Sequence, residues 1–114
     1  MDRKHRLTGS SDIQRVRAAG TSYAHPLMVL IASPNHMPLT RFGVAAGRQL
    51  GTAVRRNRAK RRLRAALDAL LPRLAPGWDT LWIARSGLVA AEWPEVERTV
   101  AGLCRRAGLL QNPA

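Results

Sequence analysis

At residues 55–64 the chain reads Arg-Arg-Asn-Arg-Ala-Lys-Arg-Arg-Leu-Arg, which places seven cationic side chains in ten positions. This run lies within a helical pattern that extends from Ala53 to about Leu74. With about 100° between successive residues, the apolar residues that fall on one stripe are Ala59, Leu63, Ala66, Leu67 and Leu70. The pattern therefore predicts a helix that packs on a core along one face and stays cationic elsewhere.

Apolar segments on both sides of this helix are predicted strands. The run from Tyr23 to Ser33 is rich in β-forming residues, with Pro26 limiting its early part to an edge or a bend. A second strand is predicted over Arg41 to Ala46. A third, Asp79 to Ala84, is apolar enough to be buried on both faces.

Helices are also predicted near both ends of the chain. Ser10-Ser11-Asp12 predicts the capped start of a short helix that stops at Gly20, and Thr52 is the predicted N-cap of the basic helix. The last helix runs from Trp93 to Gly108, with an inner face of Val96, Val100, Leu103 and Cys104. The predicted fold class is α+β, a two-layer sandwich with helices on one side of a sheet. Residues 1–114 form one domain, in which we expect 1–5 and 111–114 to be flexible.

The composition indicates a polyanionic partner. Nineteen Lys and Arg against seven Asp and Glu give a net charge of +12. Cys104 is the single cysteine, which fits a reduced cytoplasm and excludes an intramolecular disulfide. No segment has the apolar length of a signal peptide or a membrane span. A membrane-surface helix would set bulky apolar residues opposite its charge, whereas this one offers mostly Ala and Leu.

An autonomous enzyme needs converging acids, bases or nucleophiles, and this chain shows few. The carboxylates are scattered, and the three histidines lie in separate segments without metal-ligand spacing. We therefore predict no catalytic residue and no metal site. Cys104 is expected to be buried, and Trp82 to pack in the core. Trp78 and Trp93 could pack or stack on bases.

The basic run lies in a long segment without acids. Between Asp12 and Asp68 the chain has eleven cationic residues and no Asp or Glu. A merely solvated helix normally mixes both signs at i and i+4, so phosphate binding is the favoured interpretation. Charge alone leaves folded RNA and duplex DNA open as partners, for example an RNA that the chain scaffolds as a ribosomal-type protein does, or the DNA major groove.

The segment from Arg41 to Arg64 resembles the signature region of the bacterial ribonuclease P protein component. It reads Arg-Phe-Gly-Val-Ala-Ala-Gly-Arg-Gln-Leu-Gly-Thr-Ala-Val-Arg-Arg-Asn-Arg-Ala-Lys-Arg-Arg-Leu-Arg. The triplet 56–58, followed by Lys60, Arg61 and Arg64, is similar to the basic motif of that family. The likeness extends over most of the chain, from Arg6-Leu7 to the closing helix.

The resemblance implies a mixed sheet of about four strands with three helices, in the ribosomal protein S5 domain 2-like fold with its left-handed β-α-β crossover. It also implies a subunit that binds a catalytic RNA and the 5′ leader of precursor tRNA and assists removal of that leader. Hydrolysis would then depend on Mg²⁺ bound by the RNA and the substrate. The implied partners are the RNA subunit and precursor tRNA, with no membrane and no obligate protein partner.

Two sets of site residues follow, the first from the charge run and the resemblance together, and the second from the resemblance alone. The predicted RNA-binding residues are Arg48, Arg55, Arg56, Asn57, Arg58, Lys60, Arg61, Arg62 and Arg64. The predicted cleft for the leader contains Ile13, Arg17, Ile31, Lys60 and Arg64. Family members often carry aromatic residues at the positions of Ile13, Arg17 and Ile31, so we expect a more electrostatic leader contact here.

Overall fold

The computed structural model describes residues 2–111, and within them the chain forms three α-helices and four strands. The helices are α1 (Ser10–Ala19), α2 (Ala53–Leu70) and α3 (Trp93–Arg106), and the strands are β1 (Thr21–Ala24), β2 (Met28–Pro34), β3 (Arg41–Ala46) and β4 (Trp78–Ala84). The strand order is β1-β2-β4-β3, with β3 and β4 parallel and the other pairs antiparallel. The predicted α+β fold with a four-stranded mixed sheet is confirmed. The basic helix α2 joins the two parallel strands; the left-handed sense of this crossover stays a prediction.

Both faces of the sheet are covered by helices. Leu30 and its β4 partner Trp82 belong to the main core, which α2 and α3 complete. Their neighbours Ile31 and Leu81 point to the opposite face and form a smaller core with Val16 of α1. Because β2 and β4 are apolar on both faces, each face needs a cover. The expectation of helices on one side only therefore does not hold for α1.

The predicted strand from Tyr23 to Ser33 is a hairpin of β1 and β2. The amide of Met28 donates to the His25 carbonyl at 3.2 Å, and the Leu27 amide donates to His25 Nδ1 at 3.0 Å, which closes the turn. Pro26 lies inside this turn, where its missing N–H costs no ladder hydrogen bond. The bend that Pro26 suggested is therefore a complete reversal of the chain, and β1 is an edge strand.

The two long helices follow the predicted pattern with one difference in length. Thr52 caps α2, because its Oγ1 accepts from the Arg55 amide at 3.3 Å. The α-helix ends at Leu70 instead of about Leu74, and a 3₁₀ turn follows over Leu71–Arg73. Pro72 has no N–H for the helical ladder, which explains the earlier end. The predicted inner residues of α3 are all buried, namely Val96, Val100, Leu103 and Cys104.

The N-terminal segment extends the sheet beyond β3. The Leu7 amide donates to the Phe42 carbonyl at 2.8 Å, and Arg6 forms a parallel bridge with Phe42. Residues Arg3–His5, which we expected to be flexible, form a 3₁₀ turn in which His5 Nδ1 donates to the Thr40 carbonyl at 2.8 Å. At the other end, residues 112–114 of the predicted tail lie outside the described residues.

Candidate nucleic-acid interface

The helix α2 is anchored by its apolar stripe. Ala59, Leu63, Ala66 and Leu67 are buried in the main core, as predicted, and Leu70 at the end of the helix is half-buried. Fully burying one leucine contributes roughly 2 kcal/mol, so this stripe fixes which side of α2 faces solvent. The buried stripe therefore fixes the orientation of α2 about its own axis, and with it the direction in which the charged residues point.

Most of the predicted RNA-binding residues are exposed along α2 or just before it. The exposed ones are Arg48, Arg55, Asn57, Arg58, Arg61 and Arg64. Within residues 2–111 the guanidinium groups of Arg58, Arg61 and Arg64 make no hydrogen bond to protein, and Arg48 lies in the 3₁₀ turn that precedes the helix. We call the solvent-facing residues Asn57, Arg58 and Arg61 the crest of α2. The two arginines of the crest present planar, fully charged donors that suit phosphate oxygens, and Asn57 adds a neutral amide.

Arg62 is placed differently from its neighbours. Its Nη1 donates to the carbonyls of Leu88 at 2.8 Å and Val89 at 3.1 Å, and its Nη2 donates to the Ala91 carbonyl at 2.6 Å. The same guanidinium lies over the Trp93 ring, 5.7 Å from its centroid. These contacts use much of its donor capacity to hold the loop before α3 against α2. Arg62 therefore has a structural role, and fewer of its donors are free to contact RNA than those of its exposed neighbours.

Two further arginines at the start of α2 differ in the hydrogen bonds that their Nε atoms make. Arg55 Nε donates to the Leu50 carbonyl at 2.9 Å, which ties the helix to the preceding turn. Arg56 is half-buried, and its Nε is a buried nitrogen that has no hydrogen-bond partner among residues 2–111. An unsatisfied buried donor costs about 1–3 kcal/mol. The enclosed Nε of Arg56 is thus a local cost within the fold, and it is not accessible to a ligand.

A groove runs along the outer edge of β3, where the N-terminal segment, α1 and α2 approach one another. We call it the β3 groove, and its volume is about 220 Å³. Its lining residues are Arg6, Leu7, Thr8, Ile13, Phe42, Gly43, Val44 and Arg64. An apolar floor with arginines from two segments can hold a strand that carries both bases and phosphates.

The structure brings together some of the residues predicted for the leader cleft. Ile13 and Arg64 line the β3 groove, and Lys60 lies one helical turn before Arg64 on the same side of α2. Ile31 is only 8% exposed and packs in the small core next to Ile13, outside the groove lining. Arg17 is exposed one turn after Ile13 on α1, also outside the lining. The five predicted residues thus lie in or near the β3 groove, but only Ile13 and Arg64 line it.

Arg15 and Arg41, two of the eleven cations in the acid-free segment, form ion pairs with carboxylates inside the protein. Asp79, at the start of β4, is fully buried and accepts from Arg41, Asn35 and Arg15. Burial alone would raise the pKa of Asp79, but these hydrogen bonds outweigh it and lower the pKa to about 2. Asp12 adds a second, more exposed carboxylate near both arginines. Arg15 and Arg41 therefore belong to a structural network.

Sequence reasoning did not single out several residues of the β3 groove. Arg6, Thr8 and Phe42 come together because the N-terminal segment bridges to β3, and no charge pattern or periodicity indicates such a bridge. It also gave no role to Val54, which is 74% exposed in the first turn of α2. The available signal was the position of Val54, an apolar residue outside the predicted buried stripe and directly before the basic run 55–64.

The remaining reactive groups are enclosed or dispersed. Cys104 is buried, as predicted, and burial raises the pKa of its thiol to about 12. Trp82 is fully buried, and Trp78 and Trp93 are half-buried against the main core.

Among residues 2–111 no three side chains of His, Cys, Asp or Glu are grouped so that they could hold a metal ion. In the same part of the chain, no helix has both the length and the apolar character needed to cross a membrane.

These properties define a class of protein, namely small, strongly basic α+β proteins that present one anchored cationic helix beside an edge groove.

Comparison with known proteins identifies one family. The family model for Ribonuclease P matches residues 1–108. The chain is 38% identical over 109 residues to the ribonuclease P protein component of Herpetosiphon aurantiacus, covering 96% of this chain and 89% of that protein. It is 43% identical over 113 residues to that of Symbiobacterium thermophilum, covering 98% of each.

The fold is similar to solved structures of the same name. The ribonuclease P protein from Thermotoga maritima superposes with a TM-score of 0.81 at 26% identity, over 89% of this chain and 96% of that one. The protein from Staphylococcus aureus gives a TM-score of 0.84 at 23% identity, over 94% and 98%. The chain belongs to the ribonuclease P protein family. Its general role is accordingly that of the protein subunit of a ribonucleoprotein nuclease of tRNA processing, in partnership with an RNA subunit.

Proposed function

We propose that the crest of α2, together with Arg48, Arg55 and Arg56, binds the catalytic RNA of ribonuclease P. The observation that carries this proposal is that, within residues 2–111, the guanidinium groups of Arg58 and Arg61 make no hydrogen bond to protein, on a helix whose opposite face is fixed in the core. If about five phosphates were neutralised, log affinity would fall against log salt with a slope near −4. Arg62 contributes by fixing the helix, and its charge adds to the field at the surface.

The 5′ leader of precursor tRNA is the proposed ligand of the β3 groove. Arg64 and Lys60 would hold its phosphates, and Arg17 would extend the basic surface along α1. Ile13 offers an apolar contact to bases, and Ile31 supports Ile13 from within the small core. Because aliphatic residues replace stacking rings here, the leader would be held mainly through its backbone, with little preference for base identity.

The cleavage chemistry is proposed to reside in the RNA. Mg²⁺ bound by the RNA and the substrate would supply the hydrolytic chemistry, while this chain's residues bind and orient the two RNA molecules. The charge of α2 lowers the repulsion between leader and catalytic RNA, so the protein would reduce the Mg²⁺ concentration that cleavage requires. The reaction would yield the mature 5′ end of tRNA in the cytoplasm.

One reconstitution tests this function. The protein is mixed with bacterial ribonuclease P RNA at low Mg²⁺, and cleavage of precursor tRNA is followed against the RNA alone. We expect clear stimulation that weakens as salt rises. Binding of the RNA without any stimulation would instead favour a scaffolding role, and the proposed function would then be wrong.

A further inference from the structure

A second groove lies at the opposite edge of the sheet from the β3 groove. Strand order places β1 and β3 at the two edges, and this groove lies between α3 and the turn that joins β1 to β2. We call it the α3 groove; its volume is about 570 Å³. Its lining residues are His25, Glu95, Arg98, Thr99, Gly102, Leu103, Arg105 and Arg106. The function proposed above uses none of these residues.

Cationic side chains dominate the α3 groove. Within residues 2–111 the guanidinium groups of Arg98 and Arg105 make no hydrogen bond to protein. Arg106 is held in place, since it lies 5.7 Å from the Tyr23 ring centroid and its Nη1 donates to the Ala24 carbonyl at 3.3 Å. Glu95 is the single acid of the lining against three arginines. The groove therefore attracts anions.

His25 adds a directed donor to this surface. Its Nδ1 accepts a hydrogen bond from the Leu27 amide at 3.0 Å. In the neutral ring the proton must then lie on Nε2, because one ring nitrogen accepts and the other donates. The hairpin turn thus fixes the tautomer of the neutral His25 ring, and Nε2, which makes no hydrogen bond within residues 2–111, can donate to a ligand in the groove.

Gly102 leaves the middle of the groove open. It lies in the interior of α3, where glycine costs about 1 kcal/mol relative to alanine. A Cβ at this position would meet no atom within 4 Å, so no packing contact requires glycine here. Arg98, Gly102 and Arg105 follow one another at i, i+4 and i+7 and share one side of the helix. The two arginines are separated by a rise of about 10 Å along the axis, with a gap between them where a ligand backbone can approach.

We propose that the α3 groove binds the phosphodiester backbone of single-stranded RNA, at a site separate from α2 and the β3 groove. Two arginines separated along one side of a helix suit a chain of phosphates better than one isolated ion. Glu95 favours RNA over an acidic peptide, because its carboxylate repels phosphate and carboxylate groups alike but can accept a hydrogen bond from a ribose 2′-hydroxyl. Gly102 and Leu103 supply a floor without charge, on which a sugar or base can rest.

The test follows individual backbone amides while the intact protein is titrated with a uridylate RNA hexamer in ¹⁵N-edited NMR. Saturable shifts are expected at residues 98–106 and in the turn around His25, in addition to shifts on α2. Gly102→Phe should abolish the shifts in the α3 groove and leave those on α2 unchanged. Gly102→Ala, the matched control, should retain both sets. If the RNA shifts only α2, or if Gly102→Phe leaves the groove shifts intact, the proposal is wrong.

Charge and sugar provide independent tests of the same site. In the Arg98→Ala, Arg105→Ala double variant the slope of log affinity against log salt, measured on the groove amides, should become shallower by roughly 1.4 for two lost phosphate contacts. A DNA hexamer should bind the groove several-fold more weakly than RNA. An unchanged slope, or tighter binding of an aspartate-rich peptide than of the RNA, would overturn the assignment. Since α2 is measured in the same spectra, failure here is distinguishable from failure of RNA binding by α2.

Discussion

Arg41 and Asp79 form a two-pronged ion pair across the parallel strands of the sheet. Arg41 Nε lies 2.8 Å from Asp79 Oδ1, and Arg41 Nη2 lies 2.7 Å from Oδ2. The two residues are register partners of β3 and β4, and Arg15 of α1 adds a third contact to Asp79 at 2.6 Å. One buried carboxylate thus joins α1 to both strands that flank the basic helix. This network fixes the floor on which the β3 groove is built.

Removing the charge of Asp79 should destabilise the protein strongly. Asp79→Asn keeps the size of the side chain but leaves Arg41 and Arg15 without their shared counter-charge, so the free energy of unfolding should fall by about 3 kcal/mol. Urea unfolding measures this loss. The matched control is Asp12→Asn, because Asp12 is 40% exposed and its pairs are longer; its loss should stay below about 1 kcal/mol. Equal losses would contradict a central role for Asp79.

The same carboxylate predicts a defined acid sensitivity. Its pKa is lowered from 3.8 to about 2 in the folded protein. A depressed carboxylate pKa stabilises the fold fully above the unfolded value and loses this contribution as the pH falls through the folded value. Between about pH 5 and about pH 2 the loss from this group should be on the order of 2 kcal/mol. Unfolding curves of the parent and Asp79→Asn across this range check it: the variant should lack this part of the decline, and parallel curves would refute the assignment.

The elements that periodicity alone specifies were predictable from the sequence. The apolar spacing of Leu63 and Leu67 sets the buried side of α2, and the inner residues of α3 follow the same rule. The short strand β1 was not separable from β2, because both are β-forming and only Pro26 and His25 mark the turn between them. The position of α1 on the second face depended on tertiary packing, which its single fully buried residue, Val16, does not reveal in advance.

The candidate site was predictable as a charge pattern but not as a set of separate roles. Arg61 and Arg62 are identical neighbours in the sequence, yet the first is exposed and the second donates to three backbone carbonyls. The difference arises because successive residues are offset by about 100° around the helix axis, so that Arg62 points toward the loop before α3. Likewise, Phe42 joins the β3 groove only because a distant N-terminal segment pairs with β3. Long-range contacts of this kind leave no local signal.

Arg62 and Arg61 should therefore respond differently to truncation. Arg62→Ala leaves the carbonyls of Leu88, Val89 and Ala91 without their charged donor, which should lower the free energy of unfolding by about 2–3 kcal/mol. Arg61→Ala removes an exposed side chain and should change stability by less than about 0.5 kcal/mol, while it weakens binding to the RNA subunit. Thermal unfolding and filter binding measure the two effects. A stable Arg62→Ala protein with impaired RNA binding would show that Arg62 acts chiefly on RNA.

Cys104 should be inert in the folded protein. Burial raises the pKa of its thiol to about 12, so the reactive thiolate is scarce at neutral pH, and the surrounding core blocks access. A thiol-specific reagent such as an aromatic disulfide should label the native protein at a rate limited by unfolding. In strong denaturant the same reagent should label it completely within the mixing time. Rapid labelling without denaturant would contradict the burial of Cys104.

Arg58 and Arg64 of α2 should bind different partners, Arg58 the RNA subunit and Arg64 the leader of precursor tRNA. Arg58 lies on the crest, whereas Arg64 lines the β3 groove with Ile13. Arg58→Ala should weaken binding to the RNA subunit by about tenfold and make the salt slope shallower by about 1. Arg64→Ala should leave that affinity largely intact but weaken the assembled enzyme's binding to precursor tRNA that carries a leader. Mature tRNA, which has no leader, is the control substrate, and Arg64→Ala should not change its binding. If both variants weakened both interactions to the same extent, α2 would act as one undivided cationic surface and the β3 groove would lose its separate role.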